Sequence, residues 1–144
     1  MRGILVGTLV LIVSLFFTGL SLTVHSALIV LGFAVLTALV FALAGLVNGI
    51  YAKSIDGINI VPTFVLTPLV YLGGIFYSVH VLPDWWQTIT YGNPLFYLVN
   101  GFRYGFLGIT DVSLLISLYV LIIMIAILIA INWYFIKTGF GLRQ

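Results

Sequence analysis

The chain contains no cysteine and no glutamate, and few of its side chains carry a charge. Charged residues make up 6% of the 144 residues, whereas they make up about a quarter of a typical soluble domain. Without cysteine the chain can form neither disulfides nor thiolate metal sites. Hydrophobic residues make up 63%, so a soluble domain of this length could not cover itself with polar groups. The composition therefore indicates a polytopic α-helical membrane protein.

Motifs for catalysis and for nucleotide binding are also missing. The sequence has no G-x-x-x-x-G-K-[ST] phosphate loop, no H-E-x-x-H and no G-x-S-x-G. An intramembrane enzyme would also need a convergent polar site, for which the spans supply no residues. We therefore expect no catalytic residues, no bound cofactor, no metal site and no nucleic-acid partner.

The acidic residues and the histidines lie between the apolar runs rather than inside them. A proton- or sodium-coupled carrier usually needs a carboxylate within a span, which argues against a secondary transporter working alone. A sodium site built from backbone carbonyls stays open as an alternative. The histidines are far apart in sequence, which favours interfacial positions over a shared metal site. The residues concerned are Asp56, Asp84, Asp111, His25 and His80.

Four apolar runs fill most of the chain. Each has about 20 residues or more, which is enough for a helix rising 1.5 Å per residue to cross a hydrocarbon core of roughly 30 Å. The runs are apolar on every face and longer than the strands of about 10 residues found in membrane barrels, so helices are favoured. The sequence thus predicts an all-α membrane protein with four transmembrane helices, at Gly3–Leu22, Ala27–Tyr51, Ile58–Tyr77 and Val112–Ile136.

The basic residues predict the orientation of these spans. With four spans, Arg2, Lys53, Lys137 and Arg143 fall on one side of the membrane and only Arg103 falls on the other. Lys and Arg are enriched in cytoplasmic loops. We therefore expect both termini in the cytoplasm and the connection from Ser78 to Asp111 on the external side.

This external connection is unusually apolar. It contains two signals for helix starts: Pro83 followed by Asp84, and Asn93 as an N-cap followed by Pro94. The second helix, Pro94–Leu107, is about 21 Å long and too short to span comfortably. The aromatic side chains of the connection are those of Trp85, Trp86, Tyr91, Phe96, Tyr97, Phe102, Tyr104 and Phe106.

The pattern favours a re-entrant helical hairpin that dips into the outer leaflet between the third and fourth spans. Trp85 and Trp86 would then lie at headgroup level, and Arg103 would need a carboxylate or wet surroundings. Asp84 and Asp111 are the nearest acidic candidates on that side. Two interpretations stay open: an external gate, and an interfacial helix pair with no functional role of its own.

Two further features concern the spans themselves. Pro62 and Pro68 each remove a backbone donor and are expected to kink the third span. Gly45 and Gly49 form a small-xxx-small pair in the second span, for which close helix packing is favoured over a dedicated dimer face. Asn48 lies near the cytoplasmic end of that span and is expected to bond to a neighbouring helix.

Several stretches resemble the C-terminal half of bacterial ABC-2-type permeases. They are Val61–Leu69, Gly73–Tyr77, Leu82–Trp86, Asn93–Tyr97 and Gly101–Gly108. Their order and spacing match the family's kinked fifth span, short Leu-Pro helix, Asn-Pro helix with a following Arg, and basic C-terminal tail. The block from Asn93 to Arg103 is the most specific part, and the resemblance covers essentially the whole chain as a single transmembrane domain.

The resemblance implies a permease subunit in the bacterial cytoplasmic membrane. It would pair with a second permease copy and with separate ATPase subunits that bind and hydrolyse ATP, and it would export a lipid-linked glycan, a drug or another amphiphile. Family members have six spans, and this chain begins at what resembles the third. The first two spans and the ATPase-coupling helix are therefore expected to be missing from residues 1–144. The alternative function is a membrane scaffold or assembly factor that does not transport.

Overall fold

The computed structural model describes residues 23–52 and 55–139, only the backbone at 55 and 56, and the isolated positions 7, 9, 10, 12, 13 and 16. The predicted first span therefore lies largely outside the described residues, as do Arg2, Lys53 and Arg143. The described elements are helical, with no strand among them, which confirms the all-α class. In chain order they are α1 (Val24–Tyr51), α2 (Ile55–Ile60), the π-helix π1 (Val61–Leu66), α3 (Thr67–Tyr71), a 3₁₀ turn (Val79–Val81), α4 (Asp84–Tyr91), α5 (Pro94–Leu107) and α6 (Leu114–Thr138).

Two of these helices are long and apolar enough to cross a membrane. α1 has 28 residues and α6 has 25, which correspond to about 42 Å and 37 Å. α1 begins at Val24 rather than at the predicted Ala27, because the Thr23 hydroxyl accepts the Ser26 N–H at 3.2 Å and caps the helix. α6 is capped in the same way by Ser113, and after its last residue, Thr138, Gly139 forms the C-cap with a φ of +65°.

The third apolar run forms a shorter helix than the sequence predicts. Its helical pieces have 6, 6 and 5 residues and end at Tyr71, whereas the predicted span continues to Tyr77. Beyond the helix end the chain turns at Gly74, whose φ is +74°, a conformation that glycine adopts without the cost that a Cβ imposes. Among the described residues, two helices of spanning length are therefore present rather than three.

The core lies where α1, α5 and α6 pack against one another. Phe33, Leu95, Leu98 and Leu121 form its buried cluster. Most other apolar side chains of the two long helices point outward; Leu115, for example, is 77% exposed. A surface of this kind is stable only where the surrounding solvent is apolar.

A pair of glycines on α5 allows the closest helix contact. A Cβ at Gly101 would overlap the ring of Phe33 on α1, and a Cβ at Gly105 would lie 2.5 Å from Cγ2 of Val30. By contrast, nothing described lies within 4 Å of a Cβ placed at Gly45 or Gly49. Gly45 and Gly49 therefore do not pack closely against any described element, and the close packing expected of them stays a prediction.

Asparagine side chains connect neighbouring helices near the end of α1 opposite to Thr23. Asn48 donates to the Ile58 carbonyl of α2 at 2.8 Å, which is the predicted bond to a neighbouring helix. Asn132 of α6 donates to the Leu43 carbonyl of α1 at 3.1 Å. The Asn132 bond joins the C-terminal halves of α1 and α6, and residues of their N-terminal halves, Ile29 and Leu114, line one groove, so the two long helices run in the same direction.

Candidate functional site

A buried ion pair lies at the end of the bundle where α1 and α6 begin. Nη1 of Arg103 on α5 lies 2.5 Å from Oδ2 of Asp111, and the two side chains are 15% and 4% exposed. Nη2 of Arg103 donates to the carbonyls of Gly74 and, at 3.2 Å, of Tyr77. Of the two predicted carboxylate partners, the structure therefore brings Asp111, and not Asp84, to Arg103.

Asp111 accepts further hydrogen bonds from the segment before α4. The Ser78 hydroxyl donates to Oδ1 at 2.6 Å, and the Val79 N–H donates to Oδ2 at 3.3 Å. Burial by itself raises the pKa of the Asp111 carboxyl, but these bonds and the charge of Arg103 outweigh it, so this pKa lies below its usual range. The carboxylate is consequently ionised at neutral pH and complements the guanidinium.

The direction of this shift predicts how stability depends on pH. Because the folded-state pKa of Asp111 is lowered, its contribution is present above the unfolded-state pKa of about 3.9 and is lost as pH falls through the folded-state value. We expect the thermal stability of the chain in detergent to show no Asp111 titration between pH 8 and pH 5, and to decrease below about pH 4.

The control for this pH prediction is Asp111→Asn, which should lack the acid-dependent part of the decrease while being less stable at pH 7. A decrease in thermal stability below about pH 4 that is equally large in both proteins would show that Asp111 is not the titrating group.

Asn93 fixes the start of α5 and ties it to α3. Its Oδ1 accepts the Leu95 N–H at 3.0 Å, and its Nδ2 donates to the Leu69 carbonyl at 2.6 Å. Pro94 occupies the first helical position, where its missing N–H costs nothing. The predicted N-cap and the predicted bounds of α5 are confirmed.

Arg103 and Asp111, with the groups that they bond in the segment before α4, form what we call the junction. The other predicted hairpin residues lie outside it. Pro83 precedes α4 as its cap residue. Trp85 is 60% exposed, and its ring centroid lies 4.3 Å from that of Trp86. These side chains form an exposed aromatic surface rather than part of the Arg103 site.

The two prolines of the third run flank a departure from α-helical hydrogen bonding. The Thr67 N–H donates to the Pro62 carbonyl across the π-helical segment, and the Thr67 hydroxyl donates to the same oxygen at 3.2 Å. Pro68, within the first turn of α3, has no N–H to donate. π-Helical turns are often found at functional sites, and the kink expected at this position stays a prediction.

Sequence reasoning missed the buried polar residue at the centre of the junction, Asn100. Its Nδ2 donates to the Val112 carbonyl at 2.8 Å and to the Ser117 hydroxyl at 2.9 Å, and its Oδ1 accepts the Asp111 N–H at 2.9 Å. A lone amide inside an apolar helix is the signal that could have found it, because such groups require partners in lipid.

An apolar groove of about 460 Å³ separates parts of α1 and α6, and its lining is Ile29, Gly32, Phe33, Val35, Leu36, Leu114 and Leu118. In the same part of the chain, no group of three or more His, Asp or Glu side chains converges as a metal site would require. The polar groups of the junction instead bond to one another.

Comparison with known proteins shows to which family the chain is similar. The profile of the ABC-2 type transporter family matches residues 1–107. The chain is 52% identical over 143 residues to the inner membrane transport permease YadH of Escherichia coli K12, and equally to the YadH proteins of Escherichia coli O157:H7 and Shigella flexneri.

Each of these alignments covers 99% of the chain and 55% of the relative, so the chain spans about half the length of the curated relatives it matches. No solved structure gives a significant match. Since the family profile covers well over half of the chain and the identity to these relatives extends over nearly all of it, the chain belongs to the ABC-2 type transporter family.

Proposed function

We propose that this chain is a membrane-embedded part of the permease subunit of an ATP-driven exporter in the bacterial inner membrane. The observation that carries the proposal is the family membership, together with two outward-apolar helices of membrane-spanning length. The relatives are called inner membrane transport permeases, which supports the same location and role. The substrate class we propose is an amphiphile, a lipid-linked glycan or a drug.

The energy source would be a separate ATPase subunit. The sequence has no phosphate loop, so this chain would not bind ATP by that route. Family membership favours an assembly of two permease copies with two ATPase subunits, with the lipid bilayer as the remaining partner. In this assembly residues 1–144 supply spans and the external hairpin.

The distribution of charge supports an orientation with the hairpin outside. Lys137 lies in the last turn of α6, at the opposite end of the bundle from Arg103. Arg103 is neutralised by Asp111, so its presence on the external side does not conflict with the enrichment of basic residues in the cytoplasm. Both termini would then be cytoplasmic.

We propose that the hairpin formed by α4 and α5 is an external gate. α5 is too short to span, yet it packs against both α1 and α6 and buries several of its side chains there. The exposed side chains of Trp85 and Val81 would place α4 at the headgroup level of the outer leaflet. A helix pair buried at its centre and anchored by a neutralised charge is suited to transmit a movement of the spans to the exit.

The ATPase partner is tested by co-purification from the native host. We expect the tagged protein, extracted in a mild detergent, to bring down a protein with a phosphate-loop motif, identified by mass spectrometry, in an amount about equal to its own. The chain purified to homogeneity should hydrolyse no ATP. Recovery of stoichiometric partners that all lack a nucleotide-binding motif would favour the scaffold interpretation instead.

The orientation is tested with single cysteines, since the natural chain has none. Thr23→Cys and Asp84→Cys should react with a membrane-impermeant maleimide in intact cells, and Lys137→Cys should react only after the membrane is opened. The physical reason is the distribution of basic residues described above. Labelling of position 137 but not of position 84 in intact cells would show that the chain has the opposite orientation.

A further inference from the structure

Asn100 is the only residue of α5 whose side chain bonds to two successive backbone positions of the loop before α6, within the part of the chain that the structure describes. It is 1% exposed. Both hydrogens of its amide and its carbonyl oxygen are used: Val112 and Ser117 accept, and the Asp111 N–H donates. The side chain is therefore held in one orientation, and it fixes the backbone at positions 111 and 112.

Fixing this backbone determines where the Asp111 carboxylate points. The Asp111 N–H is bound by Asn100, one helical turn before Arg103, and the Asp111 carboxylate meets Arg103 itself. The same carboxylate receives the Ser78 hydroxyl and the Val79 N–H. One loop residue thus joins the segment before α4, helix α5 and the start of α6.

We propose that Asn100 is a positioning residue for the external gate: it holds Asp111 against Arg103, so that the hairpin and α6 move as one rigid unit. This inference rests on the proposed function in treating the hairpin as a gate, but the positioning of Asp111 by Asn100 does not require transport. The Gly74 carbonyl is held by Arg103, so the compliant segment would lie before the unit, in π1, where the helix departs from α-helical hydrogen bonding.

A simpler role for Asn100 would be that of an interhelical polar contact, stabilising α5 against α6 through Ser117 alone. The two roles differ in what happens to Asp111. A contact that only holds helices together lowers stability when removed but leaves the carboxylate in its present surroundings. A positioning residue changes those surroundings as well.

The chain offers a direct readout of the Asp111 carboxyl. It has three aspartates and no glutamate, so aspartate labelled with ¹³C at Cγ gives three side-chain resonances in the full chain in micelles, assignable by single Asp→Asn substitutions. In Asn100→Leu, which removes the amide at similar volume, we expect the titration midpoint of Asp111 to shift upward from its wild-type position. The matched control is Asn132→Leu, which removes a buried amide from α6 far from the junction and should leave that midpoint unchanged.

An Asp111 midpoint that stays at its wild-type position in Asn100→Leu would overturn the positioning role and leave only the interhelical contact. If the Leu variant does not fold, Asn100→Ser carries the same expectation, because a serine is too short to hold both backbone groups. An upward shift of equal size in Asn132→Leu would show a general loosening and would likewise overturn the proposal.

The link to the gate is tested in the complex with the co-purified ATPase. In proteoliposomes we expect Asn100→Leu and Arg103→Ala to lower the ATP-dependent movement of a fluorescent phospholipid by similar factors, and the double variant to be no worse than either single one, because both act through Asp111. Multiplicative losses would contradict action through Asp111. A wild-type complex that moves no probe would count against the proposed function, while the carboxyl titration would still decide the role of Asn100.

Discussion

Replacing Arg103 by alanine is expected to destabilise the chain by about 3–5 kcal/mol, because it leaves a buried carboxylate without its counter-charge. Asp111 is 4% exposed, so most of its stabilisation in the folded chain comes from its protein partners. Two carbonyls, those of Gly74 and Tyr77, lose a donor at the same time. The loss would be measured as the free energy of unfolding in mixed micelles. The matched control is Lys137→Ala, which removes an exposed basic residue at the other end of the bundle and should change stability by less than about 0.5 kcal/mol.

A double-mutant cycle separates the pair from its surroundings. Arg103→Ala with Asp111→Ala removes both charges, and we expect it to be less destabilised than the sum of the single variants by about 1–3 kcal/mol. Additive losses of unfolding free energy would show that the two side chains are adjacent without stabilising each other. The ion pair would then contribute nothing to the stability of the junction.

Replacing Gly101 by alanine is expected to have the second-largest effect, a loss of about 1–3 kcal/mol from overpacking. A Cβ at this position overlaps the ring of Phe33, including its Cγ atom, so the ring must turn into the groove beside it or α1 and α5 must separate. Either change disturbs the core cluster to which Phe33 belongs. The measurement is again the unfolding free energy in micelles.

Gly32→Ala is the control for this second prediction. Position 32 lies on α1 beside Phe33, and a Cβ there meets nothing described within 4 Å. Alanine is a better helix former than glycine, so this variant should be neutral or more stable by up to about 1 kcal/mol. Replacing the Phe33 ring by the smaller leucine side chain in the Gly101→Ala variant should recover part of the lost unfolding free energy. Equal effects of the two alanine variants would contradict the close approach of α1 and α5.

Features determined by neighbouring residues were predictable from the sequence. The bounds of α5 follow from Asn93 as N-cap and Pro94 at the first helical position, and Gly108 ends the helix in a left-handed conformation with φ of +70°. The two long helices follow from the length and composition of their runs. In each case the information lies within a few residues of the feature, as it does for caps and turns generally.

Features determined by packing were not predictable in the same way. The glycine pair at positions 45 and 49 and the pair at positions 101 and 105 have identical spacing, yet only the second contacts another described helix. The partner of Arg103 could be narrowed to two aspartates but not chosen, because the choice depends on how the loop before α6 folds back onto α5. Asn100 fixes that loop, and its role is visible only when positions 100, 111 and 117 are brought together.

The end of the third helix shows how two local signals compete. The apolar run to Tyr77 favours continuation, and Gly73 and Gly74 favour termination. The structure ends the helix at Tyr71 and uses the freed carbonyls of Gly74 and Tyr77 as acceptors for Arg103. Beyond Tyr71 the run remains apolar without being helical, and the side chains of Ile75 and Phe76 are 45% and 73% exposed.

If the ion pair of Arg103 with Asp111 holds the proposed external hairpin in a position that export requires, wild-type and Arg103→Ala complexes should differ in transport. Both complexes, matched in amount and in bound ATPase, would be reconstituted in proteoliposomes and assayed for ATP-dependent movement of a fluorescent phospholipid. We expect movement by the wild type and a loss of about tenfold or more in Arg103→Ala, equivalent to about 1.4 kcal/mol, with ATPase binding retained. Equal transport by the two complexes would contradict this expectation, and the hairpin would then be an interfacial helix pair without a role in export.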